Sequence, residues 1–69
     1  MNHIQIRDFV KPELDRFREL CNFTDDELTC FNLKAKNMTH VQISMEMSVS
    51  EAQVDKLVRR VKNKIIRVL

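Results

Sequence analysis

One short alternation of apolar and polar positions is written three times along the chain. An apolar residue is followed by Ser or Thr, two further residues, Glu or Gln, and a second apolar residue. It reads Phe23-Thr-Asp-Asp-Glu-Leu28, Met38-Thr-His-Val-Gln-Ile43 and Val49-Ser-Glu-Ala-Gln-Val54. In such a capping box the hydroxyl accepts from the backbone N–H three residues on. The Glu or Gln reaches back to the cap's own N–H, and the apolar pair staples the entry. The pattern therefore predicts helices starting just after Thr24, Thr39 and Ser50. Only eleven residues separate the last two caps, which leaves room for two or three helical turns and a tight corner.

The periodicity between these marks completes the elements. Pro12 suits a first helical turn, and Leu14, Phe17, Leu20 and Cys21 follow at helical spacing, predicting a helix over 12–21. A second, over 25–36, places Asp25, Asp26 and Glu27 at the positive end of its dipole. Its inner stripe is Leu28, Phe31 and Ala35, helped by Leu33. Asn37 stands where Gly would usually end a helix, in a chain with no Gly at all. The third helix is expected over 40–47, with Val41, Ile43, Met45 and Met47 on its apolar side and Ser48 making the corner. The fourth, over 51–68, aligns Val54, Leu57, Val58, Val61, Ile65 and Val68 on one stripe. Its opposite face carries Ala52, Lys56, Arg59, Arg60, Asn63 and Arg67. Residues 1–11 read as irregular, although Ile4 and Ile6 could cover an apolar groove.

The expected fold is a small all-α domain of four helices. Residues 1–22 form an N-terminal extension with one helix, and residues 23–69 form a helix-turn-helix domain, an arrangement that presents a helix to DNA. At 69 residues such a domain buries only about 60% of the surface its unfolded chain exposes. With 43% hydrophobic and 32% charged residues the composition is globular, and neither a membrane-length apolar run nor a secretory signal is visible. Cys21 and Cys30 lack metal-ligand spacing and read as reduced, buried residues of a cytoplasmic protein. The net charge of +2 says less than its distribution. Residues 51–69 hold six basic against two acidic side chains, and the first fifty hold six against eight. Positive charge is thus concentrated on the last helix.

From Phe23 to about Ile65 the chain resembles, without a gap, the LuxR/GerE type of helix-turn-helix, and it is also similar to region four of primary sigma factors. The Leu-Thr-x-Arg-Glu opening of the family is matched at Thr24 and Glu27, and Ala35 and Ile43 fall on its next landmarks. The Ile-Ser-x-x-Thr-Val start of its recognition helix is matched at Ser50 and Val54, and Lys64 falls on its Lys near the helix end. The resemblance implies base-reading roles for Asp55, Lys56 and Arg59. Asp55 departs from the family, which usually has a basic residue there, but an acidic side chain can accept from a cytosine amino group. Asp26 replaces the family's Arg, its Gly is missing, and so is the final helix that often serves dimerisation. The chain also looks like short orphan regulators carried by prophages and mobile elements.

These readings converge on sequence-specific binding of double-stranded DNA in transcription regulation. Gln53, Lys56 and Arg59 would reach base edges, while Arg60, Asn63 and Arg67 are placed for the phosphate backbone. A charge-rich helix face is most often an ordinary solvated surface; its position after the corner and its separation from the acids argue otherwise here. No catalytic, metal or cofactor site is expected. His3 and His40 lack the neighbours such a site needs, Ser44 reads as a packing position and Ser50 as a cap. Met38, Met45 and Met47 read as core filler. The alternative is a sigma-like module that binds RNA polymerase or another regulator through an apolar end formed by Ile65, Ile66, Val68 and Leu69. The same residues could pair two copies into a homodimer reading half-sites about 34 Å apart. A membrane surface ranks last, because the apolar face of the basic helix is needed for the core.

Overall fold

A computed structural model describes residues 4–69, and each hydroxyl start falls where the capping pattern places it. After a short 3-10 turn, Ile6–Asp8, come α1 (Lys11–Leu20), α2 (Asp25–Ala35), α3 (His40–Met47) and α4 (Glu51–Val68). There is no strand among the described residues. The Cα radius of gyration of 11.2 Å matches the about 11 Å of a compact chain of this length.

Thr24 and Thr39 form complete capping boxes. The Thr24 hydroxyl accepts from Glu27 N at 3.3 Å and Thr24 N donates to Glu27 Oε1 at 3.0 Å; the corresponding distances for Thr39 and Gln42 are 3.2 and 2.9 Å. The third box is only half formed. Gln53 N donates to Ser50 Oγ at 3.1 Å, but the Gln53 side chain makes no return bond to Ser50 N. The helix start expected at Pro12 lies one residue earlier, at Lys11, and uses the other half. Val10 caps α1, and its N–H donates to Glu13 Oε1 at 3.0 Å.

Two helices end in the same way. Met38 N donates to Leu33 O and Asn37 N to Lys34 O after α2; Val49 N donates to Ser44 O and Ser48 N to Met45 O after α3. These are Schellman closures, which need a left-handed residue. Asn37 supplies it at φ 64° and Ser48 at φ 57°. Ser has neither the freedom of Gly nor the local bonding of Asn, so its Cβ carries a steric cost here. Ser48→Gly will therefore stabilise the domain by about 1 kcal/mol. Thermal unfolding will show a midpoint higher by several degrees.

Helix α4 runs through two contiguous core clusters. One joins Cys30 and Ile43 to Val54, Leu57 and Val58, with Met38, Met47 and Val49 packed against it. The other joins Ile6, Phe17, Cys21 and Phe31 to Val61 and Ile65. The N-terminal segment, expected to be irregular, is thus part of the core. Ile6 is fully buried, and Phe9 meets Phe17 edge-on, with ring centroids 4.8 Å apart. Met1, Asn2 and His3 lie outside the described residues.

Three side-chain expectations are corrected. On α2 the buried residues are Glu27, Cys30 and Phe31, whereas Leu28, Leu33 and Ala35 are half-buried. On α3, Ile43 and Ser44 face inward while Val41 and Met45 are exposed. An eight-residue helix that touches the core along one narrow line cannot bury apolar residues placed all round it, so Met45 is not core filler. At the end of α4 the presumed apolar surface is mostly covered. Ile65 is fully buried and Val68 packs on the first cluster, leaving Leu69 exposed.

Candidate nucleic-acid interface

The capping of Ser50 and the burial of the Val54-to-Ile65 stripe fix the rotation of α4 about its axis. The face turned outward carries Ala52, Lys56, Arg59, Arg60, Asn63 and Arg67, all exposed. None of its four cations belongs to any ion pair among the described residues. The helix therefore presents a continuous run of uncompensated positive charge with one amide in its midst. Such a surface can neutralise phosphates and donate to base edges.

Gln53 and Asp55 are placed differently from the others. Gln53 is half-buried on one flank. Asp55 lies on the other, exposed but engaged, its Oδ1 paired with Nδ1 of His40 at the start of α3. His40 ties α3 to α4 and occupies the carboxylate that cytosine recognition would use. Together with Val58, Arg59 and Lys62 these two residues line a shallow groove of about 300 Å³. Lys62 in that groove was missed because its position reads as the polar edge of the core stripe.

A buried ion pair holds the helix in place. Glu27 Oε1, already accepting from Thr24 N, is paired with Lys64 Nζ, which also donates to Asn22 O at 3.2 Å. Burial pushes the Glu27 carboxyl upward. The Lys64 hydrogen bond, the Thr24 N–H bond and the charges of Lys64 and Arg60 outweigh it and hold the group below its ordinary range. Thr24, Glu27 and Lys64 thus act together as a clamp between the start of α2 and the last turns of α4.

Cys21 and Cys30 are unbridged and buried. Burial raises both thiols above their ordinary range against the opposing charges of Lys64 and Lys34 respectively. Among the described residues no three His, Cys, Asp or Glu side chains gather as metal ligands would, and no helix is long and apolar enough to cross a membrane. Compared with known proteins, the chain matches no family model, no curated relative and no solved structure.

Proposed function

We propose that the protein is a cytoplasmic transcription regulator that binds double-stranded DNA in a sequence-specific way, with α4 as the recognition helix of a LuxR/GerE-like helix-turn-helix. The observation that carries this reading is the unpaired cationic face of α4, set immediately after the Ser48 corner and rigidly oriented by its core stripe. Lys56 and Arg59 are the base-contacting candidates, and Arg60, Asn63 and Arg67 contact phosphates. Half-buried Gln53 serves at the edge of the interface, and Asp55 orients the start of α3 through His40 rather than reading a base. One copy covers little DNA, so useful specificity needs a second copy or a polymerase partner.

A fluorescence-anisotropy titration of generic duplex at several salt concentrations tests this reading directly. Affinity will fall steeply as salt rises; no binding at low salt would refute it. Asp55→Asn, which removes a negative charge beside the cationic face, will tighten generic binding about threefold or more. Unchanged affinity would separate Asp55 from the interface.

A second reading, a module that binds RNA polymerase or another regulator, is favoured by a specific observation. Val41 and Met45 project from α3, and Leu20 and Leu69 are also exposed. Apolar side chains in such positions suit a protein contact.

A further inference from the structure

We propose that the groove between α1 and α2 is a docking site for an acidic amphipathic helix of a partner protein, separate from the DNA-contacting face. The backbone of α1 nowhere runs closely along α2, so the space between the two helices is bridged by side chains rather than filled. It forms a groove of about 570 Å³, lined by Lys11, Leu14 and Arg18 of α1 and by Asn32, Ala35 and Lys36 along α2 and at its end. That is nearly twice the volume of the groove beside His40 and Asp55. No residue of α4 lines it.

The floor is apolar and the rim is cationic. Leu14 and Ala35 are half-buried, each packed on the core cluster of Phe17 and Phe31, and both present apolar surface to the groove. Arg18 is set in place before any partner arrives. Its Nε donates to Asn32 Oδ1 at 2.9 Å, its Nη1 pairs with Asp15 Oδ1 at 2.7 Å, and its guanidinium lies 5.2 Å from the centroid of the Phe31 ring. The guanidinium keeps donors that these bonds do not occupy, so it can receive a second carboxylate. Lys11 lies two turns from Arg18 along α1, and Lys36 one turn beyond Asn32 along α2. Both are exposed. Asp15 also pairs with Lys11 at 3.1 Å, an exposed i, i+4 contact of the kind that adds little and exchanges readily. Lys36 joins no ion pair among the described residues. Three cations against this one paired carboxylate leave the rim positive.

These features choose the occupant. An acidic helix with apolar residues one turn apart lays them on Leu14 and Ala35 and sets its carboxylates against Lys11, Arg18 and Lys36, the helix-in-groove mode of recognition. A phosphodiester backbone has no apolar group to cover that floor, and a basic or neutral helix would leave the rim without counter-charge.

The test uses a fluorescein-labelled helical peptide of about 15 residues, with Leu at helical spacing on one face and Glu on the flanks, and a Gln-for-Glu peptide as control. Both are titrated with the full chain and followed by fluorescence anisotropy. The wild type will bind the Glu peptide and hold the Gln peptide at least about tenfold more weakly. Lys11→Gln/Lys36→Gln, which keeps Arg18 and its bonds, will lose at least about tenfold for the Glu peptide, whereas Lys56→Gln/Arg59→Gln on α4 will lose less than about threefold. Circular dichroism will verify that both variants fold. A wild type that ignores the Glu peptide, or binds the two peptides equally, overturns the proposal. So does a loss confined to the α4 variant, which makes the peptide a mimic of DNA on the recognition face. In duplex titrations the groove variant will stay within about threefold of the wild type; a fall as large as that of the α4 variant overturns the peptide assignment in favour of the nucleic-acid backbone. Sedimentation equilibrium adds the last arm: a wild-type dimer that the groove variant cannot form makes a second copy the occupant and overturns docking of a separate partner. The peptide arms need no DNA, so their outcome is independent of whether α4 reads a duplex.

Discussion

Lys64→Met will lower the unfolding free energy by about 3 kcal/mol at neutral pH, because it strands the Glu27 carboxylate in the core without its cation. A domain of this size has only about 5 kcal/mol or slightly more to lose, so the variant will be partly unfolded well below the wild-type melting temperature. Glu27→Gln/Lys64→Met will recover most of the loss. The amide can still accept from Thr24 N, and no charge is left buried. The pH dependence has a definite sign. In the wild type the folded carboxyl is held below its ordinary range, so the pair's contribution is fully present above that range and disappears as pH falls through the depressed value. In Lys64→Met, burial is opposed only by the Thr24 N–H bond and the charge of Arg60, which shifts the balance toward the protonated acid. The difference between the two proteins will therefore narrow from pH 7 toward about pH 3. Urea unfolding followed by circular dichroism measures it, and a deficit that stays constant with pH would show that Lys64 contributes by packing alone.

Arg59→Glu will weaken binding of generic duplex by at least about 100-fold, and Lys56→Glu will do the same. Each reversal removes a cation and sets a carboxylate against the phosphates. Both side chains are exposed and outside every described ion pair, so helical content and melting temperature will stay near the wild-type values. Anisotropy titrations of the two variants at low salt check the loss. Wild-type affinity in both would remove α4 from the interface and turn attention to the exposed apolar residues of α3.

The helix starts at Thr24, Thr39 and Ser50 were legible because capping is local chemistry, settled within four residues. The rotation of α4 was legible because an 18-residue helix repeats its stripe often enough to fix a face. On α3 the same logic fails. Val41 and Met45 form an i, i+4 pair as apolar as Ile43 and Met47, so periodicity cannot choose the inward side, and the packing of Ile43 against α4 decides it. The start of α1 was off by one residue because Val10 offers no side-chain cap. The clamp from Glu27 to Lys64 spans 37 positions and the contact from His40 to Asp55 spans 15. No local pattern encodes such pairs; they exist only once α2, α3 and α4 have packed.

The burial of Ile6 against Val61 and Ile65 has a consequence for how the protein is made. The first apolar anchor of the chain and its partners on α4 are more than fifty positions apart, so the second core cluster closes only after most of α4 has left the ribosome. Until then Phe17, Phe31 and the N-terminal turn have only one another and α2 to pack against. A product cut short before Val61 lacks the α4 side of that cluster, together with Asn63 and Arg67 of the cationic face. Fragments of that kind expose apolar surface to cellular proteases, so the end of α4 acts as a check on whether the whole chain has been made.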